Sequence, residues 1–203
     1  MIVLAAVCLA YLLGSIPTGL LVGRLRGVDI RKVGSGNVGA TNVARMVGKL
    51  PGLFVLIVDT LKGYLPPALI ASKAAALGAA WPAEDLRLVL GVAAVAGHIW
   101  NPFLQFKGGK GVATGLGVLF GLDARVGLGS LTVWLAAAFA TRYVSIASIS
   151  AAVASCFLMA LLGHSALWVW GAIAVALAII WRHRSNMLRL LQGEEPKISA
   201  RKG

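Results

Sequence analysis

Phe106-Lys107-Gly108-Gly109-Lys110-Gly111-Val112-Ala113-Thr114 sets two lysines among three glycines, between strongly apolar segments. Glycines let backbone N–H groups turn inward on an anion, and lysine adds a point charge. That combination suits phosphate. It is not a Walker loop, because Gly109-Lys110 is followed by Gly111 and not by Ser or Thr. Val112 can open a helix whose N-terminus faces the same anion. A second loop, Gly34-Ser35-Gly36-Asn37-Val38-Gly39-Ala40-Thr41-Asn42 with Arg45, matches G-x-G-x-x-G, and Asp59 lies 20 residues beyond Gly39. The dinucleotide reading nevertheless fails. That fingerprint needs a preceding strand and a βαβ unit, whereas apolar segments of membrane-helix character flank this loop and one of them contains Asp59. The loop reads instead as a nest of N–H groups carrying hydroxyl and amide donors and one guanidinium, suited to a phosphate or carbonyl oxygen. Asn42 and Arg45 stand about one helical turn apart, so both can face one site.

Two further constellations carry charge or an imidazole. Asp59 and Lys62 are spaced i,i+3 inside an apolar segment and can neutralise one another. Ionisable residues inside a membrane are functional candidates by default, and a purely structural ion pair is the other reading. Trp181-Arg182-His183-Arg184-Ser185-Asn186 continues through Arg189 to Glu194-Glu195-Pro196. If the helix continues there, His183 and Asn186 point together, and the histidine can orient a phosphate or accept a proton. A basic stop-transfer flank is the plainer alternative.

The elements that must position these residues are membrane helices. Hydrophobic residues make up 59% of the 203 and charged residues only 13%, against about 25% in a soluble domain. Mean hydropathy is +0.85. Uncharged runs at 1–23, 88–106, 143–163 and 164–181 approach or reach the roughly 20 residues that span a bilayer. We expect an all-α, polytopic integral membrane bundle forming a single domain over 1–203, with about seven transmembrane helices. The first run is expected to remain as a helix rather than act as a signal peptide, because it lacks a basic start and contains Gly14-Ser15-Ile16-Pro17. The predicted helices cover 2–23, kinked at Pro17, then 50–72 and 88–106, broken at Asn101-Pro102. Two pieces within 112–140, interrupted at Asp123 and Arg125, are followed by 143–163 and 164–181. The segment 24–49 is predicted to be a long polar loop, and 73–87 a polar connection anchored by Trp81.

Net charge is +12. Basic residues gather in 24–49, at Lys107 and Lys110, at Arg142, and in a tail that includes Arg201 and Lys202. Seven crossings with the N-terminus outside and the C-terminus cytoplasmic put all these clusters inside, leaving Lys62, Lys73, Arg87 and Arg125 apart from them. Headgroup attraction explains most such charges. It does not explain their embedding in glycine-rich loops. Cys8 and Cys156 are isolated, and the three histidines lack metal-ligand spacing, so neither a disulfide framework nor a metal site is expected.

Taken in order, Gly14-Ser15-Ile16-Pro17-Thr18-Gly19, the Gly34–Arg45 loop, Asp59-x-x-Lys62-Gly63, His98 through Thr114, Thr141-Arg142-Tyr143-Val144-Ser145 and the His183–Glu195 tail resemble the bacterial acyl-phosphate:glycerol-3-phosphate acyltransferases. The resemblance covers nearly the whole chain. It implies a multi-pass enzyme of the bacterial inner membrane with its active site facing the cytoplasm and no cofactor. The implied reaction moves a fatty acyl group from acyl phosphate to the sn-1 hydroxyl of glycerol 3-phosphate, giving lysophosphatidic acid and inorganic phosphate. Ser35, Arg45, Lys110, His183 and Asn186 are then the expected catalytic residues. Gly36, Asn37, Gly39, Thr41, Asn42, Lys107, Gly108, Gly109, Gly111, Thr114, Ser148 and Glu195 are the expected substrate-binding ones. Membrane lipids are the surroundings, and no nucleic acid is implied.

The residues fit such chemistry on their own terms. Both substrates are anions and one has an apolar tail, so a basic groove at the end of a helix bundle suits both. Acyl phosphate is already activated, which leaves positioning and oxyanion stabilisation as the main tasks. Either His183 or a substrate phosphate oxygen can take the hydroxyl proton, the latter being favoured. No covalent nucleophile stands out. The H-x-x-x-x-D pair of acyl-CoA-using relatives is absent, since Phe103, Val169 and Leu188 stand five residues beyond His98, His164 and His183. Two other classes compete. An organic-phosphate transporter would show inverted repeats, which the halves lack. A lipid-binding scaffold would not need three glycine-rich polar motifs.

Overall fold

Apolar runs become helices here because hydrocarbon offers no partner for a backbone N–H or C=O, so each segment must satisfy its own. The computed structural model describes residues 1–198, and Arg201 and Lys202, expected on the cytoplasmic side, lie outside the described residues. All regular structure among the described residues is helical. Five helices are long and apolar enough to cross a membrane, and a sixth is added if the bent pair Ala166–Arg182 and Arg184–Leu191, at 52°, is taken as one span. The Val112–Leu122 helix is apolar but only 11 residues long.

Two units form, Met1–Leu122 and the part from Asp123 onward. In the first, α1 (Ile2–Gly14) and α2 (Thr18–Leu25) are separated by the Ser15–Pro17 break. A short α3 (Ala40–Met46) leads into α4 (Lys49–Leu65), which continues through a π turn at Pro66–Ile70 into α5 (Ala71–Ala76). Then come α6 (Ala83–Ile99), a 3₁₀ turn at Pro102–Leu104, and α7 (Val112–Leu122). Small residues set how closely these rods approach, as expected where lipid removes the hydrophobic drive for helix association. A Cβ on Gly97 would lie 2.0 Å from the Tyr11 carbonyl oxygen, which fixes α6 on α1. One on Gly117 would lie 1.9 Å from the Thr60 oxygen, and one on Gly63 2.0 Å from the Thr114 oxygen, which fixes α7 on α4.

The second unit packs α8 (Ala124–Thr141) against α9 (Val144–Leu161) and α9 against α10 (Ala166–Arg182), with α11 (Arg184–Leu191) last. Asp123 caps α8 by accepting from the Arg125 N–H at 2.8 Å, which explains the break expected near this residue. The same carboxylate takes the Arg125 guanidinium at 2.6 Å and His164 Nε2 at 2.9 Å, while His164 stacks on Trp168.

Several predicted boundaries shift for local reasons. The 24–49 segment contains α3. The helix predicted over 50–72 starts at Lys49, because Pro51 in the first turn has no intrahelical N–H to lose. It runs to Ala76, because a π turn absorbs Pro66 and Pro67. The helix predicted from 88 starts at Ala83, since Glu84 and Asp85 suit a helix N-terminus and Arg87 reaches the Gly121 and Leu122 carbonyls at 2.7 Å.

Candidate active site

The first glycine loop is held by its own side chains. Ile30 and Val38 are buried with Leu20, Val43, Val55 and Leu104, which plugs the loop onto the first unit. Asn42, 2% exposed on α3, organises the rest. Its Oδ1 accepts from the Ser35 N–H at 3.0 Å, and its Nδ2 lies 3.2, 3.1 and 2.9 Å from the Ile30, Val33 and Asn37 carbonyls. Asn37 Oδ1 accepts from the Gly39 N–H at 2.9 Å. Asn42 and Asn37 therefore shape the loop. Gly34 and Gly36 take φ of +59° and +68°, the left-handed conformations that a nest of inward N–H groups requires. Ser35, Thr41 and Arg45 remain on the exposed side of this scaffold, and Arg45 is in the last turn of α3.

The lysine loop is pinned at the end of α6. Gly108 N–H donates to the Ile99 carbonyl at 3.0 Å, and Gly109 N–H to the His98 carbonyl at 3.1 Å. No side chain fits at either position. A Cβ on Gly108 would lie 2.0 Å from the His98 oxygen, and one on Gly109 2.1 Å from His98 Nε2. Gly111, with φ +85°, turns the chain into α7, whose first N–H groups the helix itself leaves unpaired. Lys107 is exposed and Lys110 half-buried. Thr114, fully buried, faces α4 through its carbonyl.

Both loops meet the Asp59–Lys62 pair. Lys62 Nζ sits 2.8 Å from Asp59 Oδ1, with both side chains 3% exposed. Val38 of the first loop, Gly109 of the second, His98, Asn101, Asp59 and Lys62 border one small cavity.

The tail motif forms in the second unit. α10 ends at His183, and the chain restarts as α11 after a 52° bend. His183 is buried, and its Nδ1 lies 2.8 Å from the Ile179 carbonyl. A carbonyl can only accept, so Nδ1 carries the hydrogen and the proton chemistry belongs to Nε2. Asn186 Nδ2 donates to Glu195 Oε1 at 2.6 Å, and Arg189 Nε to Glu195 Oε2 at 2.9 Å. Burial pushes the Glu195 carboxyl upward, but these donors and the Arg189 charge outweigh it and hold the group below its ordinary range. Ser145 stands beside it without a well-formed hydrogen bond. Glu195 thus holds Asn186 and Arg189, one on each carboxylate oxygen. The Ser148 hydroxyl donates to the Val144 carbonyl and accepts from Trp134 Nε1 within the α8–α9 packing.

Sequence reasoning missed two ties. Asn101 was legible only as the first half of an Asn-Pro break, yet its carboxamide reaches the Ser15 carbonyl at 2.6 Å. Arg189 looked like one more tail charge until its partner Glu195 was placed.

The glycerol-3-phosphate acyltransferase family model matches residues 4–193. This chain belongs to that family. It is an integral membrane acyltransferase chain, similar along nearly its whole length to curated glycerol-3-phosphate acyltransferases. One from Rubrobacter xylanophilus is 46% identical, with 97% of this chain and 96% of that protein covered. One from Aquifex aeolicus is also 46% identical, with 95% and 97% covered. Among solved structures, the glycerol 3-phosphate form of PlsY (YgiH), an integral membrane glycerol 3-phosphate acyltransferase, superposes with a TM-score of 0.89 at 45% identity, covering 97% of this chain and 96% of that one. Its lysophosphatidic acid form gives 0.85 at 44%, with 96% and 94% covered.

Proposed function

We propose that the protein transfers a fatty acyl group from acyl phosphate to the sn-1 hydroxyl of glycerol 3-phosphate, releasing lysophosphatidic acid and inorganic phosphate in phospholipid synthesis. It does so as a multi-pass protein of the bacterial inner membrane, on the cytoplasmic side. The observation that carries this reading is the pair of solved relatives, similar over nearly the full chain, in glycerol 3-phosphate and lysophosphatidic acid forms. The acyl-phosphate donor rests on the motif order and on the absence of H-x-x-x-x-D.

In this mechanism Lys110 and the first N–H groups of α7, just beyond Gly111, hold the phosphate of glycerol 3-phosphate, on the seat that Gly108 and Gly109 set. Arg45, beside the loop that Gly36 and Gly39 shape, holds the phosphate of the donor, and the Ser35 hydroxyl donates to the carbonyl oxygen as it becomes an oxyanion. Thr41 and Lys107 extend the basic and polar rim. The hydroxyl oxygen forms the new ester bond to the acyl carbon, and the acyl carbon–phosphate oxygen bond breaks with its electrons on phosphate. The hydroxyl proton passes to a phosphate oxygen. His183, fixed through Nδ1, and Asn186, fixed by Glu195, orient the reacting groups.

Mass spectrometry of the products from glycerol 3-phosphate with palmitoyl phosphate or palmitoyl-CoA tests the donor. We expect lysophosphatidic acid with palmitoyl phosphate alone. Equal yield from palmitoyl-CoA would overturn the donor assignment. Uptake of glycerol 3-phosphate into proteoliposomes without any acyl product would overturn the enzyme.

A further inference from the structure

We infer that Asp59 and Lys62 are positioning residues, holding both glycine loops through the break in the first transmembrane segment without touching substrate; the inference rests on the acyltransferase reading. The break at Ser15–Pro17 strips the ordinary helical partners from two carbonyls in the middle of an apolar span; Ile16 keeps a tight-turn bond from the Thr18 N–H at 2.9 Å, and both carbonyls take a donor from another helix or its end. Asn101 Nδ2 takes the Ser15 carbonyl at 2.6 Å, and Lys62 Nζ takes the Ile16 carbonyl at 2.8 Å. Asp59 Oδ1, 2.8 Å from that ammonium, balances its charge. At 3% exposure, and already between a carboxylate and a carbonyl, this ammonium is spoken for.

What the tie fixes is the seat of both loops. On one side of the break, Gly19 packs so tightly on the first loop that a Cβ would lie 1.8 Å from the Val38 oxygen. On the other, Asn101 belongs to the hinge that carries the lysine loop: its carbonyl accepts from Leu104 and Phe106, and its Oδ1 from Phe103. Lys62 and Asn101 therefore grip adjacent carbonyls of one break, and each loop leans on one side of it. Without Lys62 the Ile16 carbonyl keeps only its local bond from Thr18, the tie between α4 and the break is lost, and both phosphate seats shift as the break does.

The test separates positioning from mere folding and from substrate contact. In purified protein in lipidic medium, Lys62→Met leaves the Asp59 carboxylate buried and unpaired, whereas Asp59→Asn with Lys62→Met removes both charges. We expect the double variant to keep a near-wild-type melting temperature while its kcat stays at least about tenfold down and both KM values move less than about threefold. Lys62→Arg, which can still reach a carbonyl and a carboxylate, should recover much of the turnover. Recovery of both stability and kcat in the double variant would reduce the pair to a structural ion pair. A raised KM for glycerol 3-phosphate at unchanged kcat would make Lys62 a substrate ligand, and loss of folding in the double variant would show that the charges hold the fold itself. Each of these outcomes overturns the proposal. Failure of the acyltransferase reading shows separately, as wild-type protein that releases no phosphate from the two substrates.

Discussion

Replacing Gly108 with alanine tests whether the lysine loop's seat matters to catalysis. The new Cβ would lie 2.0 Å from the His98 oxygen, 2.8 Å from the Ile99 oxygen and 3.0 Å from Asn101 Cβ, against an ordinary contact of 3.4–4 Å. The nearest two obstacles are backbone atoms of the α6 end and cannot swing aside, so the loop must retreat by more than about 1 Å. That retreat strains two hydrogen bonds, Gly108 to Ile99 and Gly109 to His98, each worth about 0.5–1.5 kcal/mol. A misplacement of about 1 Å costs roughly 100-fold in rate, or about 2.7 kcal/mol, in line with losing both bonds. Gly108→Ala should therefore lower kcat/KM for glycerol 3-phosphate about 100-fold in a phosphate-release assay. Gly78→Ala is the control. Gly78 has φ +86° with nothing within 4 Å of a built Cβ, so it carries only the backbone cost of about 1–2 kcal/mol and should keep its activity. Wild-type kinetics in Gly108→Ala, or an equal loss in Gly78→Ala, would refute the reasoning.

Further outcomes concern the tail and the second unit. Glu195→Gln puts an amide where Arg189 or Asn186 needs an acceptor, and turnover should fall about tenfold with the protein still folded, as read by kcat beside the melting temperature. Asp123→Asn should lower the melting temperature by about 2–4 °C at neutral pH and leave turnover unchanged. Asp123 is held well below the ordinary aspartate range, chiefly by the Arg125 hydrogen bond. Its contribution is thus present above that range and lost as pH falls through the depressed value, so the melting temperatures of the wild type and the Asp123→Asn variant should converge in acid. His183→Gln should lose less than about 100-fold and keep the acid limb of its pH–rate profile, because the proton goes to phosphate; loss of that limb would make the imidazole the base.

The sequence was most legible where one requirement acted alone. Charge-free runs marked membrane helices because a span tolerates few charges, and Asp123 marked a break because it caps α8. Glycines beside lysines marked a tightly seated loop, and the Gly108 and Gly109 N–H groups do lock onto the end of α6. Ties were hidden where partners came from afar. Asn42 gives its N–H groups to the loop's own backbone, and Asn37 Oδ1 accepts from Gly39. Glu195 offered a negative charge near an expected anion site, and only the placement of Asn186 and Arg189 explained it. The π turn at Pro66-Pro67 was hidden because proline in a helix usually announces an end, and widening the turn is the rarer solution.

Phosphate release by the purified protein in lipidic medium, with palmitoyl phosphate and glycerol 3-phosphate, tests the central claim most directly. Release should require both substrates and disappear in Arg45→Ala. No release from folded protein that binds both substrates, or release that is indifferent to glycerol 3-phosphate, would overturn the acyltransferase reading.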